Sequence, residues 1–390
     1  MSTSILSFEA ENGDAFLIKF DNGQNILIDM GMPKTYENQI RKELIKLKES
    51  KQKIDLLIIS HIDADHIGGA IKFLEENKNN EIIEISEIWY NSYKHLQFEK
   101  AKVLKVKEDT SSILKSIIKQ NQTINKINGV QNISCKQGSS LASLICKYEY
   151  PWNTNFSCNE ISIDNKQEVV MGNLKFIFLS PNEDKLQKLS KKWIQELSKN
   201  KYSFEISDEE IFDDAFEFYM KFLQDTDIKI SSISSKKSLN FEELSKIEEK
   251  DNSVTNGSSL AFIIEYKDKK LLFLGDSHED IVFDSLIKLK DKDYDLKFDL
   301  MKVSHHGSNK NISNRLINLI TCDKFLFSTD GLSHNHPTLE AIAKIVANNI
   351  EYKKELFFNY ELDIFGKLDN IELKNKYNYE IKYQSEIDLL

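Results

Sequence analysis

The sequence predicts an α/β fold, and three patterns support this prediction. Residues 54–59 form a short apolar run bounded by polar residues, which is typical of a strand buried on both faces. Residues 67–73 begin an apolar pattern with helical spacing, so the chain passes from strand to helix within a few residues. Near the end of the chain, residues 351–390 alternate polar and apolar side chains, and this period of two predicts further strands.

The loop between the first strand and helix concentrates potential metal ligands. His61, Asp63 and Asp65 alternate along it, so their side chains can converge, and His66 follows where the helix begins. Two glycines come next and permit close approach of the backbone. Because two histidines and two aspartates rarely coincide directly behind a buried strand, the loop indicates a metal site rather than a polar surface turn.

This loop resembles the signature of the metallo-β-lactamase fold hydrolases, H-x-H-x-D-H. Here it reads His61-x-Asp63-x-Asp65-His66, so a carboxylate stands where the family usually has its second histidine. Imidazole suits zinc, whereas carboxylates suit harder ions. The resemblance implies two divalent metal ions, with zinc as the first expectation and manganese or iron as alternatives.

Other segments resemble the same family, in the same order, over about residues 4–350. They are an opening hairpin at 11–18 and 25–31, which contains Asp29; the strand Leu272-Phe273-Leu274-Gly275-Asp276; the stretch Leu300-Met301-Lys302-Val303-Ser304-His305-His306-Gly307-Ser308; and His334-Asn335-His336-Pro337. The last two are similar to the branch that includes the hydrolase domain of competence-protein channels and the phosphorylcholine esterases. Members of that branch act on phosphate esters.

The resemblance also implies a role for each site residue. Asp276 would bridge the two metals, with Asp65, His66 and His306 holding the second metal and His61 and Asp63 the first. His306 is favoured over His305 as the ligand because it directly precedes Gly307, which leaves His305 to line the pocket. The family pattern adds a further histidine to the first metal, and the only histidine in the middle of this chain is His95, which has no strand-end surroundings.

Asp65, His305 and His336 are the candidate catalytic residues, and three assignments keep alternatives. His336 precedes a proline, so it either forms a turn or contacts a substrate phosphate or serves as a general acid. Asp276 could instead cap the helix that follows it. Asp29 stands behind the metal loop and could satisfy backbone donors there without touching metal.

Taken together, the patterns and the resemblance imply a metallo-β-lactamase-like αββα four-layer sandwich, with two mixed sheets between helices. We expect one hydrolase domain over 1–350, a mainly helical insertion at about 182–252, and a small β-rich C-terminal extension at 351–390. The extension would form an added sheet or a partner-binding tail. Residues 230–259 are rich in Ser, Lys, Glu and Asn, which predicts a mobile loop.

Composition narrows the function classes. The formal net charge of −10 argues against a broad nucleic-acid-binding face, since such faces neutralise phosphates with Lys and Arg. No run approaches the ~20 apolar residues of a membrane span, and the start of the chain shows no signal-like segment, so we expect a cytoplasmic protein without membrane contact. Cys135, Cys146, Cys158 and Cys322 show no C-x-x-C spacing, which argues against a thiolate zinc site or a disulfide framework.

A pair of divalent metals can lower the pKa of a bound water and neutralise charge on a phosphoryl or carbonyl oxygen. No competing nucleophile or nucleotide-binding motif is present. We therefore expect a metal-dependent hydrolase that cleaves a phosphodiester in nucleic acid, a nucleotide or another phosphate ester. The alternatives are a hydrolase of a carboxylic ester, amide or lactone, and a metal-stabilised interaction subunit with weakened catalysis.

The resemblance extends to effectors of bacterial defence systems that are encoded beside ATPases or proteases. It therefore implies a protein partner of that kind, and it leaves the oligomeric state open.

Overall fold

The structure is a computed structural model, and it describes residues 2–97, 112–116, 140–199, 215–217, 219–220 and 239–389. Much of the predicted insertion therefore lies outside the described residues. None of the helices in the described ranges is both long enough and apolar enough to cross a membrane.

Sixteen strands form in the described part of the chain. They are β1 Ser4–Ser7, β2 Ala15–Lys19, β3 Asn25–Met30, β4 Leu56–Ile58, β5 Ile88–Trp89, β6 Glu168–Met171, β7 Leu174–Ser180, β8 Ala261–Tyr266, β9 Lys269–Phe273, β10 Lys297–Phe298, β11 Leu300–Lys302, β12 Thr321–Cys322, β13 Lys324–Phe327, β14 Lys354–Phe358, β15 Tyr379–Tyr383 and β16 Glu386–Asp388.

Most of these strands belong to two mixed sheets. The first has the order β16-β1-β2-β3-β4-β5, and the second has the order β15-β14-β13-β11-β9-β8-β7-β6. In the first sheet β3, β4 and β5 run parallel. In the second sheet β9, β11, β13, β14 and β15 run parallel, and the strands on the other side are antiparallel. The short strands β10 and β12 pair separately.

Helices cover the outer faces of both sheets. The α-helices are α1 Pro33–Thr35, α2 Arg41–Glu49, α3 Ala64–Asn80, α4 Leu141–Lys147, α5 Glu183–Lys199, α6 Phe241–Leu244, α7 Val254–Gly257, α8 Glu279–Lys290, α9 Asn314–Leu319, α10 Leu339–Ala347, α11 Phe365–Leu368 and α12 Ile371–Tyr377. A π-helical turn, Tyr36–Ile40, joins α1 to α2, and 3-10 turns form at Tyr93–Leu96, Thr154–Phe156, Ser304–Gly307 and Asn309–Asn311.

Three apolar clusters show the layer order. One lies between the sheets and contains Phe16 and Ile28 from the first sheet with Phe178 and Phe262 from the second. The other two lie between each sheet and its own helices. Burying one face of each sheet against the other sheet and the opposite face against helices removes apolar surface from water on both faces. The predicted αββα four-layer sandwich is confirmed.

The strands of the C-terminal segment join the two sheets. β14 and β15 extend the parallel side of the second sheet, while β16 pairs with β1 at the edge of the first. The segment therefore forms neither a separate added sheet nor a free tail, because its backbone hydrogen bonds are made with both existing sheets. The domain limits at 350 and at 182–252 remain predictions.

The segment 230–259 was predicted to be a mobile loop, but its described residues form regular structure. From residue 239 onward the chain forms the short helices α6 and α7, each begun by a side-chain cap from Asn240 or Ser253. Phe241 is fully buried in the outer core of the second sheet. The polar composition that suggested a loop reflects capping and buried hydrogen bonds, which stabilise short helices as readily as turns.

Adjacent strand ends bring the chemical residues together. β9 and β11 are parallel, with Phe273 opposite Lys302, so the residues that follow both strands meet at one edge. The backbone N–H of His305 donates to the carbonyl of Gly275 at 2.9 Å. Across the two sheets, the N–H of Leu260 donates to the carbonyl of Ser60 at 2.9 Å. The loops after β4, β9 and β11 therefore share one end of the sandwich.

Candidate metal centre

The loop after β4 places its side chains as its sequence predicted. His61 and His66 are buried, whereas Asp63 and Asp65 are partly exposed. Asp63 occupies the N-cap position of α3, but its side chain makes no capping hydrogen bond. One Asp63 oxygen instead lies 3.4 Å from Nε2 of His61 and accepts from the hydroxyl of Thr255 at 3.3 Å. The carboxylate thus faces the site rather than the helix.

Four imidazoles converge on a single oxygen atom, Oδ2 of Asp276. Their Nε2 atoms lie at 3.9 Å for His61, 3.7 Å for His66, 3.9 Å for His305 and 3.5 Å for His306. In the described part of the chain, Nε2 of His61, Nε2 of His66 and Oδ1 of Asp63 are buried without a hydrogen-bond partner. Buried polar atoms nearly always have partners, so this donor set fits divalent cations.

Among the described residues, four overlapping groups of three side chains could each hold a cation, and two of these groups contain only predicted ligands. Asp65, His66 and His306 offer ligand atoms within 4.8 Å of one another, and so do His61, His66 and Asp276. The first group is the set predicted for the second metal. The second group lies beside Asp63 and contains the predicted bridging residue, with His66 shared between the groups. The structure brings all six predicted ligands into one site, and their individual roles remain predictions.

The Nδ1 atoms of His61, His66 and His306 each lie within hydrogen-bonding distance of an acceptor. Nδ1 of His66 lies 2.9 Å from Asp29, and Nδ1 of His306 lies 2.8 Å from the carbonyl of Ser328. Nδ1 of His61 lies 3.0 Å from the hydroxyl of Ser60, which itself donates to Asp29. Since a carboxylate and a carbonyl only accept, Nδ1 carries the proton in His66 and His306, which leaves Nε2 to face the site.

Asp29 supports the loop from behind. It also accepts a hydrogen bond from the backbone N–H of Ser60 at 2.7 Å. Through these contacts Asp29 holds both His66 and Ser60 in place.

Asp276 is not a helix cap. The N-cap position of α8 is occupied by His278. The N–H of Asp276 donates to the hydroxyl of Ser259 at 3.0 Å, which holds its backbone against the loop that precedes β8. The alternative of a capping aspartate is therefore wrong.

The paired histidines sit in an unusual backbone segment. His305, His306 and Gly307 all have positive φ, at 47°, 56° and 87°. A Cβ on Gly307 would lie 2.6 Å from Cβ of Pro337, so only glycine fits there. Non-glycine residues in this region carry strain, and such strain tends to gather at functional sites. The sharp turn brings both imidazoles toward Asp276. The position of Gly307 therefore does not by itself distinguish His306 from His305 as the metal ligand.

His305 differs from His306 in exposure and in its partners. Its Nδ1 lies 3.0 Å from the amide oxygen of Asn311 and 3.5 Å from Asp251, and its side chain is 22% exposed. Its ring centroid lies 5.1 Å from that of His336, whose Nδ1 is buried without a hydrogen-bond partner among the described residues. The two predicted pocket histidines therefore adjoin one another at the accessible side of the site.

The charges of the site interact strongly in the metal-free protein. Burial opposes the charged form of His306, but Asp276 and Asp14 outweigh it and raise the pKa of His306 to about 9. Burial likewise opposes charge on His66, and Asp276 and Asp29 still raise its pKa well above the usual range. Burial favours the neutral form of Asp276, yet the neighbouring histidines hold its pKa well below the usual range. The carboxylates around these imidazoles therefore favour positive charge at the site.

The middle of the chain contributes no histidine to this site. His95 is buried elsewhere, with its ring 4.8 Å from that of Trp152 and its Nδ1 accepting from the N–H of Ser92 at 3.1 Å. Burial lowers the pKa of His95 well below its usual range. His95 therefore behaves as a neutral core residue, and the donors that the structure shows for the first metal position are His61, Asp63 and Asp276.

Several polar residues at the site had no role in our sequence-based assignment. Asp251 and Asn256 come from the segment expected to be a mobile loop, and Asp251 accepts hydrogen bonds from the side-chain amides of Asn256 and Asn311 at 2.8 and 2.9 Å. Asp14 and Lys302 form a buried ion pair. One signal was visible: Lys302 interrupts an otherwise apolar strand, and a buried lysine requires a partner.

Comparison with known proteins gives one family match. Residues 9–123 match the model of the metallo-beta-lactamase superfamily. No curated protein matches the chain.

Several solved structures are similar at low sequence identity. A long-form RNase Z from yeast has a TM-score of 0.36 at 11% identity, covering 92% of this chain and 36% of its own. Zn²⁺-bound PqqB from Methylobacterium extorquens has a TM-score of 0.42 at 8% identity, and the alignment covers 99% of this chain and 99% of PqqB. CmlA, a diiron β-hydroxylase from Streptomyces venezuelae, has a TM-score of 0.37 at 8% identity, and the alignment covers 99% of this chain and 54% of CmlA.

This chain thus spans about a third of the yeast enzyme and about half of CmlA. At TM-scores this low, the likenesses say nothing about substrate or metal. The family match, in contrast, is a match of sequence, and its range contains Asp14, Asp29 and the whole loop from His61 to His66. Residues 9–123, less than half of the chain, are therefore similar to the metallo-beta-lactamase superfamily.

Proposed function

We propose that the protein is a metal-dependent hydrolase that cleaves a phosphodiester in nucleic acid, a nucleotide or another phosphate ester. The observation that carries this proposal is the convergence of four imidazole Nε2 atoms on Oδ2 of Asp276, with Asp63 beside His61 and Asp65 grouped with His66 and His306. A purely structural polar core would pair these atoms with one another. Instead several of them point at a common centre without partners.

The donors divide between two cation positions. Asp65, His66 and His306 would hold one cation, His61 and Asp63 would hold the other, and we assign Asp276 to both. Bound divalent cations supply a Lewis acid for a phosphoryl oxygen and a lowered pKa for water. The mixture of imidazole and carboxylate donors suits zinc and also admits manganese or iron.

The accessible side of the site supports an anionic substrate. His305 and His336 adjoin there, and both can donate a hydrogen bond to a phosphoryl oxygen. Asn311 and Asp251 hold Nδ1 of His305, so its Nε2 stays directed toward the centre. The likeness of the His305-His306-Gly307-Ser308 stretch to the phosphorylcholine esterase branch supports the same substrate class.

A second candidate is a metal-stabilised interaction subunit with weakened catalysis. It is favoured by the first cation position, which lacks a histidine from the middle of the chain. One firmly held metal would be enough to stabilise the loop. The chain would then bind metal without turnover.

Metal analysis combined with a substrate panel separates these functions. The purified protein is stripped with a chelator, reloaded with Zn²⁺, Mn²⁺ or Fe²⁺, and assayed on bis(p-nitrophenyl) phosphate, p-nitrophenyl acetate, nucleotides and nucleic acids. Two metals per chain with phosphodiester turnover support the proposal. Turnover of the acetate alone indicates a carboxylic ester hydrolase, and one metal without any turnover indicates the interaction subunit.

The variant His66→Ala serves as the inactive control, and His95→Gln serves as a control for changing a buried histidine outside the site. The setting in a bacterial defence system, the ATPase or protease partner and the cytoplasmic location remain predictions.

A further inference from the structure

A fully buried lysine lies directly beneath the candidate metal centre. Lys302 ends β11, which is an interior strand of the second sheet. Its ammonium pairs with the carboxylate of Asp14, donates to the carbonyl of Gly275 at 3.1 Å and lies 3.8 Å from Oδ1 of Asp276. Burying an ammonium group is costly unless it is paired and hydrogen-bonded. The contacts that offset this cost for Lys302 lie at the base of the site.

Asp14 extends this pair to a second site residue. Its Oδ1 lies 3.3 Å from Nδ1 of His306, the atom that also contacts the carbonyl of Ser328. Asp14 immediately precedes β2 of the first sheet, whereas Lys302 belongs to the second. The ion pair therefore joins the two sheets under the centre and touches Asp276 on one side and His306 on the other.

The two oxygens of Asp276 have different surroundings. Oδ2 faces the four imidazole Nε2 atoms, while Oδ1 faces the ammonium of Lys302. Rotation of the carboxylate would exchange these environments, and the positive charge beside Oδ1 opposes the approach of a second cation to that atom. Asp14, Asp276 and His306 form another group that could hold a cation, and the lysine ammonium already lies against both of its carboxylates.

We propose that Lys302, paired with Asp14, is a positioning residue that fixes the carboxylate of Asp276 so that Oδ2 alone is presented to metal. The proposal rests on the metal-binding part of the proposed function and is independent of the substrate. Residues that orient metal ligands typically change metal affinity ~10- to 100-fold when they are replaced.

The test measures metal affinity and folding stability separately. Asp14→Asn/Lys302→Met removes both charges, and Lys302→Met alone leaves Asp14 unpaired. Zinc affinity is measured by competition with a chromophoric chelator, and the stability of each metal-free variant is measured by thermal unfolding. Removing one partner of a buried pair destabilises strongly, whereas removing both is often tolerated. We expect the double variant to unfold near the wild-type temperature and to bind zinc at least ~tenfold more weakly.

Lys344→Met is the matched control. Lys344 is also fully buried, but it pairs with Glu248 and with the carbonyl of Ile312 rather than with a site residue. This variant should lose stability and keep wild-type zinc affinity. If the double variant binds zinc as tightly as the wild type, the ion pair is only structural and the proposal is overturned.

A crystal structure of the zinc-loaded wild type decides the question even if the variants do not fold. Zinc at Oδ2 of Asp276, with Lys302 still beside Oδ1, supports the proposal, and zinc at Oδ1 overturns it. A wild-type protein that takes up no metal overturns the proposed function together with this inference. A wild type that binds two metals and turns over a phosphodiester, alongside a double variant of unchanged affinity, overturns this inference alone.

Discussion

The two halves of the candidate metal centre start from the same loop but are completed to different degrees. One half combines Asp65 and His66 with His306 from a distant strand end, and their ligand atoms lie within 4.8 Å of one another. The other half has His61 and Asp63, and the middle of the chain supplies no histidine to it. Near Asp63 the structure instead places the hydroxyl of Thr255.

Their supporting hydrogen bonds differ as well. Nδ1 of His66 contacts a carboxylate, Asp29, whereas Nδ1 of His61 contacts the hydroxyl of Ser60. A carboxylate partner makes a ligating imidazole more basic than a hydroxyl partner does. We infer that the half containing His66 and His306 binds its cation more tightly, so the loop sequence alone does not set affinity.

The largest expected effect is that of His66→Ala, because the ligand atom of His66 lies in the more complete half and Asp29 orients its imidazole. Bound metal should fall, and turnover should drop by more than ~100-fold, beyond the effect of residues that only orient ligands. Asp65→Ala should lose only the tighter metal and also abolish hydrolysis. Metal content and circular dichroism of the purified variants check this, with His95→Gln as control. Full activity in either variant would contradict the metal assignment.

The next effect separates the neighbouring histidines. His306→Ala should lose one metal, because its Nε2 is the nearer to Asp276 and its ligand atom falls within a donor group. His305→Ala should keep both metals and lose turnover or substrate affinity, since its side chain lies at the accessible side. Metal content and steady-state kinetics of the two variants decide between them. Metal loss in His305→Ala with retention in His306→Ala would reverse the roles.

A smaller effect is expected at the less complete half. Asp63→His restores the imidazole usual in the family loop, so the metal preference should shift toward zinc by about tenfold relative to manganese, because imidazole suits zinc. Competition binding of Zn²⁺ and Mn²⁺ measures the shift, and Asp63→Asn controls for loss of the carboxylate alone. An unchanged preference would show that Asp63 does not contact metal.

The smallest effect concerns pH and the metal-free protein. The carboxylates around His306 raise its pKa to about 9, and the pKa of His66 is raised as well. A group whose pKa is raised by folding stabilises fully below its unfolded value of ~6.5 and loses this contribution as pH rises through the folded value. The free energy of unfolding should therefore fall between about pH 6.5 and 9 when metal is absent.

For His306 alone the fall should be about 3 kcal/mol, at ~1.4 kcal/mol per pKa unit. Bound zinc should abolish it because metal replaces the protons. Urea unfolding at several pH values, with and without zinc, measures the difference. His306→Gln should show a shallower pH dependence. A metal-free protein whose stability does not change over this range would show that the histidine cluster is neutral.

The sequence by itself determined the parts of the site that follow from local pattern. The loop from His61 to His66, the strand-end Asp276 and the His305-His306 pair could each be placed because an apolar strand precedes them and a turn or helix follows. The loop after β4 follows a strand of the first sheet, whereas the loops after β9 and β11 follow strands of the second, so it was the family resemblance that predicted one shared site. The sandwich and its mixed sheets were predicted on the same basis, together with the family resemblance.

Only the tertiary structure decided how that site is supported. The pairing of Asp14 with Lys302 spans two sheets, and Asp251 reaches His305 from a segment whose composition suggested a loop. Likewise, β14, β15 and β16 complete both sheets rather than forming a structure of their own. The periodicity of a sequence reports which face of an element is buried. Which partner satisfies a buried charge or a strand edge depends on contacts between distant segments, and that information exists only in the folded chain.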